Sequence, residues 1–430
     1  MKSHIMIALA ATLAASTVLP ASAQDAAKPY AGTHLSVLME GHPTTDGIQA
    51  LLSEFTEATG IEVELEIVPE SDVTPKILLE FSSGSGRYDV VENNIIFVPG
   101  FVEAGYIAPL DDMANQMSQY FDRTDFVPGY LGPNVVDGTL YGLPVFGEST
   151  LLMYRKDLFE EYGIAVPTSF SDIEAAAKTI EEKSNGEITG ITMRGAQGIH
   201  SVYVWAGWLW GFGGEFINAE GGSALATPEA AASLEAFARV LRDYGPVGVA
   251  NFGWEENRVL FQQGKAGITL DATVNGAFNE DPAVSSVVGK VGYAPVPAET
   301  PNTKGGSSSL GAHSLYIAAA SANKEAAWLF VSWATAKQQQ IKSLEIAPNS
   351  GVTSTGAFAS EAFDSRYGAF KDAMIASINQ GNPQYLPTVT VASEIINNAG
   401  IAVSKVLAGT ASAADALAEA DAANAAALAR

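Results

Sequence analysis

The chain has 430 residues, 47% of them hydrophobic, with 48 acidic side chains against 23 basic ones and a net charge of −25. Such a surface repels phosphate backbones and anionic lipid, which argues against nucleic-acid or membrane-surface binding while saying little about a small ligand. The chain contains no cysteine, which excludes disulfides, thiol nucleophiles and thiolate metal sites.

Residues 1–23 have the pattern of a secretory signal: Lys2 and His4, a largely apolar run from Ile5 to Leu19, then Ala21-Ser22-Ala23, with cleavage expected after Ala23. Its apolar core, about 15 residues, is shorter than the roughly 20 that a spanning helix needs. Without cysteine there is no lipid-modified N-terminus to tether an exported chain, so the expected compartment is the periplasm. One hydrophobic core stops growing near about 250–300 residues, so two lobes are expected.

From Thr33 the chain alternates short apolar strands with amphipathic helices. Leu35-Ser36-Val37-Leu38-Met39 reads as a strand ending in a polar loop from Glu40 to Thr45, followed by a helix that aligns Ile48, Leu51, Leu52 and Phe55 and stops at Gly60. Ile61 to Val68 alternates apolar residues with Glu62, Glu64 and Glu66, as a half-exposed strand does. A helix to about Phe81 and a third strand at Tyr88-Asp89-Val90-Val91 complete a βαβαβ rhythm, which predicts a mainly parallel sheet with helices on both faces. In such sheets ligands bind at the carboxyl ends of the strands.

Further on, Ser171 with Glu174 has the spacing of a capping box, and Thr227-Pro228 reads as an N-cap with proline in the first turn of a helix ending at Gly245. Residues 295–309 are rich in Pro, Gly and Ser and read as a loop, and the alanine-dense tail from Ala411 as a helix. Tyr203, Trp205, Trp208, Trp210 and Phe212 crowd one segment, where a ring could cover the C–H face of a sugar or polyol. Trp328 and Trp333 read as core.

Catalytic motifs are missing. Histidines 34, 42, 200 and 313 have no metal-binding spacing, and neither a GxSxG elbow nor a phosphate-binding glycine loop occurs. No cofactor, no metal and no enzymatic activity are expected.

Several segments resemble the bacterial extracellular solute-binding proteins of ABC importers, in the carbohydrate-binding group that includes maltose-binding protein. They are residues 137–144 with 152–164 and 167–172, Tyr88 to Val91 with 105–111, Phe261 to Gly267, and 311–317 with 321–330. They span nearly the whole chain after the signal, in the family's order. The resemblance implies an α/β fold of type II with two lobes, each a mainly parallel sheet flanked by helices. Lobe 1 would comprise 24–143 and 314–346, lobe 2 144–310 and 347–430, with crossovers near 143–148, 310–314 and 346–351. Such a protein captures a sugar or sugar alcohol by hinge closure and passes it to permease subunits in the inner membrane, and is expected to be monomeric.

The cleft residues then follow the strands: Glu40 and His42 after the first, Ser71 after the second, Asn93 and Asn94 after the third. Glu148 lies at the first crossover, Asp271 and Asn275 follow the Ile268-Thr269-Leu270 strand, and His313 and Asn349 lie at later crossovers. Tyr203 and Trp205 are the aromatic candidates. Glu92 departs from the apolar residue common in the family and stands open between ligand contact and surface. An acidic or sulfonated sugar would need a cleft arginine, with Arg87, Arg155, Arg194 and Arg366 as candidates. A peptide ligand, or a secreted glycoside hydrolase with two facing carboxylates, are the other readings.

Overall fold

A computed structural model describes residues 28–300, 305–347 and 351–430; the expected signal segment and Asn349 lie outside the described residues. Eleven strands are β1 His34–Glu40, β2 Glu62–Val68, β3 Val90–Asn94, β4 Val135–Val136, β5 Thr139–Leu140, β6 Gly142–Glu148, β7 Thr150–Arg155, β8 Thr189–Thr192, β9 Ala266–Ala272, β10 Val291–Pro295 and β11 Gly311–Ile317. Strands β4 and β5 form a small ribbon, and the rest make two sheets ordered β2-β1-β3-β11-β6 and β10-β7-β9-β8. β1 runs parallel to β2 and β3, and β8 parallel to β9, whereas β11 and β7 run antiparallel to both of their neighbours. Each sheet is therefore parallel in direction apart from one reversed strand.

The reversed strands mark where the chain changes sheet. β6 ends at Glu148 and β7 begins at Thr150, so Ser149 alone carries the chain from the first sheet to the second. The return runs from β10 through residues 296–310 into β11.

Side chains of successive strand residues point to opposite faces, and the core divides accordingly. Leu35, Val37 and Met39 of β1 pack with Phe55, Trp328, Phe330 and Trp333 on one face of the first sheet, while Leu38 packs with Val73, Ile77, Phe101 and Tyr316 on the other. In the second sheet Leu152 and Ile268 face a large cluster built on helices Ile199–Gly211, Pro228–Tyr244, Ala392–Leu407 and Ala413–Leu428, and Leu151 and Met153 face Phe363, Tyr367 and Phe370. Burying each such side chain stabilises the fold by about 1.5–3 kcal/mol. Among the described residues no helix is long and apolar enough to cross a membrane.

Local differences from the sequence reading have physical causes. The first helix begins at Pro43 rather than after Thr45, because His42 caps it: Nδ1 accepts the Thr44 N–H at 3.2 Å. The third strand runs on to Asn94 because β11 pairs with it as far as His313 opposite Asn94. The capping box is Ser169 with Asp172, each side chain accepting the other's backbone N–H at 3.0 Å. Ser171 instead bonds Glu299, and Glu174 pairs with Arg239. The caps at Thr227 and Gly245 and the tail helix Ala413–Leu428 form as the sequence indicates.

Candidate functional site

A cavity lies between the two sheets, lined by residues from both. The first sheet contributes Glu40 from the end of β1, His42, Glu70 from the start of helix Glu70–Ser83, Asn94 from the end of β3, Phe146 and Glu148 from β6, and His313 from β11. Opposite them stand Arg194 after β8, Ile199 and Tyr203 on helix Ile199–Gly211, Trp254 at the start of helix Trp254–Gln262, and Val274 after β9.

The floor is a proton-sharing group. His313 Nδ1 lies 2.5 Å from Glu92 Oε1 and 3.4 Å from Glu40 Oε2, and the Glu40 N–H donates to Glu92 Oε2 at 2.8 Å. Burial opposes a charge on the ring, but Glu40 and Glu92 outweigh it and push the His313 pKa up to about 9. Burial holds Glu40 well above the usual carboxylate range. One ligand atom from each of Glu40, Glu92 and His313 lies within 4.8 Å of the others, a spacing a cation could use. Nδ1 faces both carboxylates, so a proton fills that place.

Asn94 Nδ2 lies 3.2 Å from His313 Nε2, while its Oδ1 accepts the Ile96 N–H at 3.1 Å. This amide orientation suits a neutral ring with a free Nε2 lone pair, and the two carboxylates favour a charged one. Charge-assisted hydrogen bonds outweigh one neutral contact, so at neutral pH two donors face each other there.

His42 spends Nδ1 on its helix cap, which leaves Nε2 carrying the proton. It points to Glu148 Oε1 at 3.8 Å, and neither atom has a hydrogen-bond partner. The aromatic wall is a column: His42 lies 4.0 Å from Phe146 at 6°, and His313 lies 4.4 Å from Phe146 at 22°. Two rings that close cannot share one face, so both faces of Phe146 are covered. Trp254 stacks at 6.1 Å on His42 and carries the Arg258 guanidinium at 5.1 Å from its centroid.

Across the cavity Arg194 is gripped by Asp271, with Nε at 3.0 and 3.1 Å from the carboxylate oxygens and Nη2 at 2.6 Å. Its Nη1 lies 3.7 Å from Glu70 Oε1, and His200 Nδ1 lies 3.6 Å from Glu70 Oε2. Burial alone would lower the guanidinium pKa, but Asp271 and Glu70 raise it.

Six candidates from the sequence meet at the cavity: Glu40, His42, Asn94, Glu148, Tyr203 and His313. Others do not line it. Trp205 is fully buried, its Nε1 donating to Ser233 Oγ at 3.1 Å, because helix Ile199–Gly211 is apolar all round and sits inside the core. Ser71 is exposed and bonds Asp72; Glu70, one residue earlier, takes the place expected of it. Asn93 turns to the other side of its strand, where Oδ1 accepts from Thr74 Oγ1 at 3.1 Å. Asp271 lies beneath Arg194 and also accepts from Asn257 and the Ala272 N–H. Asn275 holds Trp254 through Nε1 at 2.7 Å. Glu92 is neither ligand contact nor surface but fully buried under His313. Sequence reasoning missed Phe146, Glu70 and Trp254, and singled out Arg194 only for an anionic ligand. Glu70 had the one usable signal, its place just after β2.

A family model described as bacterial extracellular solute-binding protein matches residues 41–341. The mannitol-binding protein of Pseudomonas aeruginosa is 28% identical over 294 residues, 67% of this chain and 66% of that protein, so the aligned part spans just under two thirds of that relative. A solute-binding protein from Agrobacterium vitis, solved with bound D-mannitol, is 28% identical with a TM-score of 0.82, covering 91% of this chain and 97% of the other. One from Agrobacterium radiobacter in complex with ribitol is 26% identical with a TM-score of 0.85, covering 92% and 98%.

Proposed function

The chain belongs to the family of bacterial extracellular solute-binding proteins, and we propose that it is the periplasmic capture component of an ABC importer for a sugar or sugar alcohol, acyclic polyols above all. In this reading the lobes are 24–143 with 314–346 and 144–310 with 347–430. They close on the ligand because a solute touching both binds the closed form better, and the loaded protein delivers it to the permease.

The observation that carries the reading is the pairing of idle polar atoms with occupied rings. A hydroxyl between His42 Nε2 and Glu148 Oε1, which stand 3.8 Å apart, accepts from one and donates to the other. A second oxygen accepting from both Asn94 Nδ2 and His313 Nε2 relieves the two donors that face each other there. Phe146 has no free face for a pyranose, whereas a chain of hydroxyls needs none. The similar proteins described with mannitol and ribitol support the same ligand class. The carboxylates act here as hydrogen-bond acceptors and carry out no bond cleavage.

A thermal-shift screen against alditols, aldoses and sugar acids tests this. A ligand at about 100 times its Kd adds about 2.7 kcal/mol of stability, and at least one alditol should raise the melting temperature. No shift with any alditol or aldose, together with turnover of a glycoside, would reject the reading.

A further inference from the structure

A buried arginine in a binding cleft is the usual recogniser of a carboxylate or sulfonate, through two parallel N–H donors. Arg194 is the one arginine among the residues that line this cavity. Its Nε–Nη2 edge is already taken. Nε and Nη2 both serve Asp271 at 2.6–3.1 Å. Asp271 in turn is fixed by Asn257 Nδ2 at 2.5 Å and the Ala272 N–H at 2.7 Å, so it cannot swing aside. Nη1 has Glu70 Oε1 at 3.7 Å.

Resting on the polyol reading above, we propose that Asp271 and Glu70 cancel the charge of Arg194 and make the cleft a filter that admits uncharged polyhydroxylated solutes and rejects anionic sugar acids. One guanidinium faces two carboxylates, and the imidazole of His313 is matched by Glu92. Glu148 adds a further carboxylate on the cavity wall, its Oε1 3.8 Å from His42 Nε2. An incoming carboxylate would shed its hydration beside an excess of negative charge, and would have to compete with Asp271 and Glu70 for the one guanidinium. A hydroxyl loses far less water and needs a single donor, which Nη1 supplies. The filter sits across both lobes, Glu70 from one and Arg194 with Asp271 from the other, so it is complete only when they meet.

The test is titration calorimetry with matched pairs: D-mannitol against D-mannonate, and ribitol against ribonate, at neutral pH. In the wild-type protein each aldonate should bind about 100-fold more weakly than its alditol, or not measurably. In Glu70→Gln the ratio of the two dissociation constants should narrow at least tenfold, equivalent to about 1.4 kcal/mol, whatever happens to alditol affinity itself. The wild-type comparison needs no variant, so it stands even if Glu70→Gln folds poorly. Aldonate binding within about threefold of the alditol overturns the filter and leaves the polyol reading intact, as does an unchanged ratio in a folded Glu70→Gln. Absence of binding by every alditol and sugar removes the polyol reading and the filter together.

Discussion

At the level of single residues, the cleft depends on polar atoms that the fold leaves without partners. Glu148→Ala removes an unpartnered acceptor and Asn94→Ala a donor set only against His313 Nε2, and a lost or unmatched hydrogen bond costs about 1–3 kcal/mol. Calorimetry should show alditol affinity down by about tenfold or more in both, with melting temperatures of the free proteins within a few degrees of wild type. Unchanged affinity in both variants would remove the site assignment. A second expectation concerns pH. The pKa of His313 is raised to about 9 and that of Glu40 is raised as well, so the folded state binds more protons than the unfolded one, and stability falls as pH rises. The His313 contribution is fully present below about 6.5 and is lost as pH passes through about 9. Melting temperatures taken from pH 6.5 to 9.5 should therefore decline in the wild type and decline less in His313→Gln. A flat wild-type profile would contradict the proton-sharing floor. None of this is visible from residue types alone: Glu92, His313 and Glu40 are far apart in sequence and meet only because β1, β3 and β11 lie side by side.

At the level of elements, periodicity located the first strands and helices and several later ones, since buried faces impose it. Their ends were harder to place because tertiary partners set them. The capping box shows why. Ser169-Asp172 and Ser171-Glu174 have the same spacing, and only the first caps, since Phe170 must start the helix to lie 4.2 Å from Trp208. Ser169→Ala should cost about 1 kcal/mol, the usual loss of a capping side chain, and Ser171→Ala clearly less, since its bond to Glu299 is exposed. Equal losses in chemical denaturation would refute the assignment. The same limit applied to the cleft. Glu40, His42 and Asn94 were legible as residues at or just past strand ends, whereas Phe146 lies inside β6 and Trp254 opens a helix far along the chain.

For the whole molecule, the two sheets are joined where Glu148 gives way to Thr150 and again where β10 leads into β11, which is the geometry of a clamp. If ligand closes it, the radius of gyration from small-angle scattering should fall on addition of a saturating alditol. An unchanged radius alongside measurable binding would rule out closure as the mechanism.

The strand order has a consequence for synthesis. β11 occupies the gap between β3 and β6 in the first sheet, yet it follows the whole second sheet in the chain. At about 5–20 residues per second, a ribosome would need roughly ten to thirty seconds after finishing β6 before β11 existed. Through that interval the first lobe lacks an interior strand, and the second still awaits helices Ala392–Leu407 and Ala413–Leu428. A chain cut after Leu310 should accordingly be protease-sensitive and melt without a cooperative transition. The strand that completes the cleft thus also delays closure of the first sheet.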